Sequence, residues 1–264
     1  MPIRINSNSS NFGDEFRKFL NSQRETVSDV ENIVAQIISQ VKNKGDHALF
    51  DLTKKFDDYV LTENNIRISE SEIENSYQEC NTYELDALNM ASDRIRSFHE
   101  KQIPDNYNYI DSEGVELGLK WNPIESVGIY VPGGSASYPS SVLMNAIPAR
   151  VAGVKRLVMV SPSTKGRLNP LVLAAAKISG VNEIYRIGGA QAIGALAYGC
   201  NSLNSVDKIV GPGNAYVAAA KRQVFGTVGI DMVAGPSEIL VVADNKNDPE
   251  WIAVDLLSQA EHDP

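Results

Sequence analysis

Short apolar segments separated by glycine-containing turns and helical segments recur from Val127 onward, and this alternation limits the possible folds more than any other feature. The predicted strands are Val127–Val131, Leu157–Ser161, Glu183–Ile187, Lys208–Val210 and Ile239–Ala243. Strands this short and this apolar are typical of a sheet that is covered on both faces. Repeated strand–helix units predict a parallel sheet, and therefore the α/β class.

The segments between these strands carry helix start and stop signals. Asn169 followed by Pro170 predicts an N-cap with proline in the first turn, and Gly180 predicts the end of that helix. Asp248 followed by Pro249 predicts another helix start. The predicted helices between the strands are the crossovers that parallel strands require.

Residues 1–113 have a different, helical pattern. Apolar residues from Val30 to Val41 share one helical face, and Ser28 with Glu31 predicts a capping box at its start. Gly45 predicts its end, and further helices are expected up to Phe56 and from about residue 81 to 100. Alternation over residues 115–121 then predicts a half-buried strand.

Charge and cysteine content exclude several classes of function. The chain has 24 Lys and Arg against 33 Asp and Glu, a formal charge of −9, so non-specific nucleic-acid binding is not expected. Two cysteines cannot form a disulfide framework, and no apolar signal segment begins the sequence, which favours the cytoplasm. The uncharged stretches 126–149 and 187–206 contain Gly, Pro, Ser, Asn or Gln, so membrane spans are not expected either.

Glycine-rich turns follow the predicted strands, where ligands of parallel sheets bind. They span 130–135, 188–191, 211–214 and 234–238. Such glycines allow the backbone to approach a ligand and expose helix N-terminal amides to an anion, although each turn alone is also consistent with a simple tight turn. Gly211 and Gly213 begin a dinucleotide fingerprint, but Tyr216 replaces its third glycine, so the motif is incomplete.

The last predicted helix places Gln259 and His262 three residues apart and therefore on one face. An imidazole and an amide oxygen can both contact a metal ion. Two ligands are only half of a zinc site, so spacing alone favours a polar helix end over a metal site.

Several longer segments together resemble histidinol dehydrogenases. They are VGIYVPGGSASYPSSVLMNAIPARVAGV, RIGGAQAIGALAYG, VDKIVGPGNAYVAAAKRQVFG, VGIDMVAGPSEILVVAD and DLLSQAEHDP. The resemblance implies incomplete Rossmann-like parallel sheets of the aldehyde dehydrogenase-like type with an N-terminal helical region, in a homodimer. It divides the chain into a helical region at 1–113, an NAD-binding domain at 114–236 and the start of a zinc and substrate domain at 237–264.

The resemblance also implies an activity, the NAD-dependent, zinc-assisted oxidation of L-histidinol to L-histidine through histidinaldehyde. By matching positions, Tyr130, Gln191 and Asn214 would contact NAD, and Ser237 would contact L-histidinol. Gln259 and His262 would bind the substrate and one zinc ion per subunit.

The family's catalytic Glu–His pair and its other zinc ligands correspond to positions beyond Pro264. We therefore expect this chain to be an N-terminal portion with an incomplete active site and no catalytic residue of its own; His47 and His99 are expected to be structural or exposed. Two alternatives remain open. One is a non-catalytic NAD-binding or oligomerisation module, and the other is an aldehyde dehydrogenase-like enzyme that uses Cys200 as its nucleophile.

Overall fold

The structure, a computed structural model, describes residues 5–133, 138–163, 165–233 and 239–260, without the side chains of 20–28 and 258–260. Its helices are α1 (Phe12–Lys44), α2 (Asp46–Asp57), α3 (Glu70–Glu79), α4 (Thr82–Glu100), α5 (Pro139–Val151), α6 (Pro170–Ser179), α7 (Gly189–Tyr198), α8 (Ala215–Val224) and α9 (Pro249–Ala260). Its strands are β1 (Tyr107–Ile110), β2 (Glu116–Leu119), β3 (Ser126–Tyr130), β4 (Arg156–Val160), β5 (Glu183–Tyr185), β6 (Lys208–Val210) and β7 (Gly229–Ile230).

A parallel sheet in the order β5-β4-β3-β6-β7 forms the centre of the described chain. The register pairs Gly128 of β3 with Val158 of β4 on one side and with Ile209 of β6 on the other. Every residue of β3 is buried, as expected for a strand covered on both faces. The predicted α/β class with a parallel sheet is confirmed.

Helices cover both faces of this sheet and form two apolar cores. On one face α5 and α6 pack against each other and against α3 and α4, around side chains such as Ile129, Leu143 and Met159. On the other face α1 packs against α7 and α8, with α2 beside it, around side chains such as Leu49 and Leu196. The N-terminal helices therefore complete the cores of the sheet that follows them.

Four predicted strands are confirmed to within two residues, and the fifth is wrong. Residues 239–243 form no strand, and the side chains of Leu240 and Val242 are 87% and 86% exposed. An apolar β-branched segment becomes a strand only when another strand pairs with it, and no described residue does so here. The fifth position in the sheet is taken by the two residues of β7, which are too few to give a sequence pattern.

The first helix begins earlier than its pattern predicts. Helix α1 is 33 residues long and begins at Phe12, so Ser28 lies inside it and the predicted capping box is wrong. Apolar periodicity reports only the part of a helix that packs on a core, and the α1 side chains that do so include Val30 and Val34. The predicted end is confirmed, because Gly45 has a φ of 54°, which favours glycine.

The predicted half-buried strand near residue 117 is exposed instead. It forms β2, which pairs antiparallel with β1 in a separate two-stranded sheet. All eight residues of the two strands are exposed, including apolar side chains such as Ile110, which is 70% exposed. Within the described residues, no helix is long and apolar enough to cross a membrane.

Candidate functional site

The topology creates a crevice at the carboxyl ends of β3 and β6. From β3 the chain moves through α5 to β4 and through α6 to β5, and then returns through α7 to β6 on the opposite side of β3. Neighbouring crossovers therefore leave β3 and β6 towards opposite faces of the sheet. Ligands of doubly wound sheets bind at such a switch point.

Tyr130, the last residue of β3, lies at this point and is 4% exposed. Its hydroxyl oxygen accepts a hydrogen bond of 3.1 Å from the backbone N–H of Gly189, at the start of α7. Burial raises the pKa of Tyr130 to about 12, although the Gly189 bond opposes the shift. The phenol is therefore neutral at physiological pH and keeps a proton that it can donate to a ligand.

The turn after β6 approaches Tyr130 from the other side. A Cβ on Gly211 would lie 2.2 Å from the backbone oxygen of Tyr130, and the φ of Gly211 is +113°. Both the contact and the backbone conformation require glycine at this position. Tyr130 therefore contacts the 188–191 turn through its hydroxyl and the 211–214 turn through its backbone.

An ion pair between a buried lysine and an exposed aspartate holds the Gly211 turn in place. Lys221 of α8 donates a hydrogen bond of 3.0 Å from Nζ to the Gly211 oxygen and pairs with Asp231. Asp231 Oδ2 accepts a bond of 2.8 Å from the Gly211 N–H. The Lys221 side chain is only 4% exposed. No sequence pattern links these two residues, because they are ten positions apart and Asp231 follows β7 rather than lying on α8.

Asn214 is the N-cap of α8, and its Oδ1 accepts a bond of 3.1 Å from the Val217 N–H. Because the cap uses Oδ1, the Nδ2 group is the donor that a ligand would meet. The residue is exposed at the rim of the crevice. Its position three residues after Gly211 brings it to the same sheet edge as Tyr130.

Gln191 lies in the first turn of α7 and is 2% exposed. A Cβ on Gly189 would lie 2.8 Å from Gln191 Oε1, so the amide folds back onto the turn whose N–H bonds Tyr130. The structure therefore brings the three predicted NAD contacts Tyr130, Gln191 and Asn214 to one edge of the sheet. Tyr130 and Gln191 are buried, whereas Asn214 is exposed.

Buried polar atoms without a hydrogen-bond partner collect near the same edge. Within the described residues, the buried side-chain atoms without a partner are Thr53 Oγ1, Asp57 Oδ2, Ser163 Oγ and Arg186 Nε. Ser163 and Arg186 follow the carboxyl ends of β4 and β5, and the charge of Asp57 acts on the Tyr130 hydroxyl. Unpaired buried polar atoms are costly, so Asp57, Ser163 and Arg186 are candidates for contact with a polar ligand.

A groove of about 640 Å³ lies beside the carboxyl ends of β3 and β4. Its walls include Pro132, Gly133 and Pro162 from the turns and Glu72 from α3. Glu72 also accepts two bonds of 2.7 Å from Arg186, which is buried, so an ion pair forms part of this side of the groove. The groove has the volume of an ordinary small-molecule site.

The predicted substrate and metal residues are outside the described part of the structure. Ser237 and His262 belong to ranges that are not described, and of Gln259 only the backbone within α9 is described. Among the described residues, no group of three or more His, Cys, Asp or Glu side chains could hold a metal ion. The roles of Ser237, Gln259 and His262 therefore stay predictions.

The cysteine alternative is not supported. Burial, followed by a hydrogen bond to Asp46, raises the pKa of Cys200 to about 12. A nucleophilic cysteine needs a thiolate, which a low pKa in an electropositive environment provides. Cys200 is therefore a neutral thiol packed against the core that contains α1 and α7.

Comparison with known proteins adds a family to this geometry. The family model for histidinol dehydrogenase matches residues 20–264. Histidinol dehydrogenases from Rhodospirillum rubrum and Mesorhizobium japonicum are 57% and 59% identical to the chain over 263 residues. Each match covers 100% of this chain and 61% of the relative, so the chain spans about three fifths of these proteins' length.

A solved structure also resembles this fold. The crystal structure of histidinol dehydrogenase from Elizabethkingia anophelis has a TM-score of 0.81 and 44% sequence identity. The match covers 88% of this chain and 54% of that chain. Since the family model matches most of the sequence and the fold agrees, the chain belongs to the histidinol dehydrogenase family.

Proposed function

We propose that this chain provides the NAD-binding part of a histidinol dehydrogenase, which oxidises L-histidinol to L-histidine through histidinaldehyde in histidine biosynthesis. The observation that carries the proposal is the position of Tyr130. Its hydroxyl and its backbone contact the glycine turns on two sides of one switch point. Family membership supplies the substrate and the reaction.

The residues of the crevice fit a dinucleotide. Tyr130 offers a buried neutral hydroxyl, Asn214 offers amide donors, and the Gly188–Gly189 turn lets a ligand approach the backbone at the start of α7. Bound NAD would supply the hydride acceptor, while the protein binds, orients and shields the reacting groups from water.

The remaining proposals rest on the family. Ser237, Gln259 and His262 would contact L-histidinol, and Gln259 and His262 would bind one zinc ion per subunit. A general base from the part of the protein after Pro264 would accept the protons released by the oxidation. The sheet would then be the incomplete Rossmann-like domain of an aldehyde dehydrogenase-like enzyme located in the cytoplasm.

A homodimer is also proposed, and the exposed strands β1 and β2 support it. Leu117 and Trp121 are 41% and 54% exposed beside other apolar side chains of this two-stranded sheet. Large exposed apolar surfaces often mark interfaces. Light scattering of the chain and of a Leu117→Asp variant checks this, and a dimer that persists in the variant would place the interface elsewhere.

NAD titration by calorimetry tests the central proposal. We expect the chain to bind NAD, and Tyr130→Phe to weaken binding about tenfold because one ligand bond is lost. The matched control is Tyr185→Phe, since Tyr185 is 2% exposed and donates to Glu183 through its hydroxyl at 2.8 Å. Equal losses in both variants, or no NAD binding by the unsubstituted chain, would contradict the proposal.

The second candidate is the non-catalytic NAD-binding or oligomerisation module that the sequence leaves open. Titration with L-histidinol, with and without zinc, separates the two candidates. Zinc-dependent L-histidinol binding supports the enzyme. NAD binding with no L-histidinol binding under either condition supports the module.

A further inference from the structure

Asp57 is the last residue of α2, and its environment gives it no structural use. Its Oδ2 atom is buried and has no hydrogen-bond partner within the described part of the chain. Burial raises the pKa of this carboxyl above its ordinary value, and no nearby group offsets the shift. A partly buried carboxylate without hydrogen bonds destabilises a fold unless something outside the fold pairs with it.

The position of Asp57 at the end of its helix also makes its negative charge unfavourable. The C-terminal end of a helix carries a partial negative charge, which disfavours a carboxylate there. The adjacent Asp58 adds another negative charge in the left-handed conformation that ends the helix. Asp57 takes part in no ion pair found between described residues. Packing and capping therefore do not explain this residue.

Asp57 lies close to the crevice that contains Tyr130. Its charge raises the pKa of Tyr130, in addition to the larger effect of burial. Thr53 is four residues earlier on the same face of α2, and its Oγ1 atom is also buried without a partner among the described residues. The unpaired Asp57 oxygen and the Tyr130 hydroxyl therefore lie near the carboxyl end of β3.

We propose that the Asp57 carboxylate binds the vicinal hydroxyl groups of a ribose of NAD and selects NAD over a dinucleotide with a phosphate on that ribose. This inference rests on the proposed function. An ionised carboxylate only accepts hydrogen bonds, and a ribose diol offers two neutral donors side by side. A 2′-phosphate in their place would bring negative charge against the carboxylate.

A cation is the less suitable occupant. Hard cations take six or more oxygen ligands, often from several carboxylates. The described residues contain no group of three or more acidic, His or Cys side chains that could form such a site. A hydroxyl-bearing ligand needs only the acceptor that Asp57 provides and the donor that Tyr130 provides.

The test is calorimetric titration of the chain with NAD, NADP, adenosine monophosphate and nicotinamide mononucleotide. Asp57→Asn keeps the size of the side chain and removes the charge, and we expect it to weaken NAD binding about tenfold or more. Asp51→Asn is the matched control, because Asp51 is exposed on the same helix. We expect this control to bind every ligand as the unsubstituted chain does.

The two mononucleotides show which ribose is bound. If it is the adenosine ribose, Asp57→Asn weakens adenosine monophosphate binding and reduces the preference for NAD over NADP. If it is the nicotinamide ribose, nicotinamide mononucleotide, NAD and NADP all lose affinity, while adenosine monophosphate does not. The first result supports the whole inference, whereas the second supports binding of a diol by Asp57 and overturns its selection of NAD over NADP.

Other outcomes overturn the inference. Unchanged NAD affinity in Asp57→Asn, or an equal loss in Asp51→Asn, would show that Asp57 does not bind the diol. A thermal unfolding midpoint that falls in Asp57→Asn would show instead that the carboxylate is structural. Absence of NAD binding by the unsubstituted chain would overturn the proposed function and this inference with it, whereas the other outcomes leave the proposed function intact.

Discussion

The two ends of the central sheet are built differently, although the same strands form both. At the amino end, polar side chains are paired with one another. Asp207 accepts bonds of 2.8 and 2.7 Å from the N–H and hydroxyl of Ser126, and Arg156 pairs with Glu183 at 2.7 Å. Asn182 Oδ1 accepts a bond of 2.8 Å from the Leu157 N–H.

At the carboxyl end, glycine turns replace these side-chain links and several buried polar atoms have no partner. Asp57, Ser163 and Arg186 each leave one such atom among the described residues. An exception is the Lys221–Asp231 pair, which holds the Gly211 turn itself. Side-chain pairs therefore close the amino end of the sheet, whereas the carboxyl end leaves buried polar atoms without a protein partner among the described residues.

The largest effect is expected from Gly211→Ala. The new Cβ would clash with the backbone oxygen of Tyr130, and the φ of this position disfavours alanine. We therefore expect the unfolding free energy to fall by about 3 kcal/mol or more and NAD binding to be lost. Urea unfolding and calorimetry measure the two effects. Gly226→Ala is the control, because Gly226 has a φ of +100° but an added Cβ meets nothing within 4 Å.

One arginine substitution and one lysine substitution compare the two ends of the central sheet directly. Arg156→Met leaves the partly buried Glu183 carboxylate without its cation, and Lys221→Met removes the bonds of a buried lysine to Gly211 and Asp231, so each should lower the unfolding free energy by about 1–3 kcal/mol. Only Lys221→Met should also weaken NAD binding, because Lys221 holds the Gly211 turn. Weaker binding in the folded Arg156→Met protein would show that the two ends are not independent.

Acid unfolding should depend on Glu183 at the amino end. Burial raises the pKa of Glu183, but its bonds with Arg156 and Tyr185 outweigh this and hold the pKa below 4.5. The ionised form therefore stabilises the fold above the ordinary pKa, and this contribution is lost as pH falls through the folded-state value. Between pH 6 and pH 3, the unfolding free energy of Glu183→Gln should fall less steeply than that of the unsubstituted chain. The same pH dependence in both proteins would exclude this role of Glu183.

The smallest expected effect is a gain in unfolding free energy, from Asp57→Asn. The pKa of Asp57 is raised in the folded state, so its ionised form destabilises the fold at neutral pH. We expect Asp57→Asn to gain less than about 1 kcal/mol at pH 7, because solvent screens a half-exposed carboxyl. The gain should disappear as pH falls below about 3.8, the ordinary pKa of this group. A lower unfolding free energy for Asp57→Asn at pH 7 would show that the Asp57 carboxylate stabilises the fold, as the paired side chains at the amino end of the sheet do.

Sequence reasoning was most reliable where local chemistry determines the structure. Asn169, Pro170 and Gly180 correctly bound α6, and Asn81 and Gly45 correctly mark a helix start and a helix end. The same reasoning failed where tertiary contacts decide. Residues 239–243 resemble a strand but have no described strand beside them, and the two residues of β7 become a strand only because β6 pairs with them.

The candidate site was predictable in part. Tyr130, Gln191 and Asn214 lie on turns whose glycines are visible in the sequence, and parallel topology brings those turns to one edge. Asp57, Lys221 and Asp231 had no such signal. Asp57 belongs to an N-terminal helix whose sequence suggests no chemistry, and 73 residues separate it from Tyr130.

The sequence by itself determined the α/β class, the parallel strands and the glycine turns, because each follows from side-chain polarity and backbone freedom within a few residues. It also carried the family resemblance that the comparisons confirmed. Only the tertiary structure decided which polar atoms remain unpaired and which turns meet at Tyr130. Those properties depend on contacts between distant segments, and hydrogen-bond partners are known only after the segments have packed.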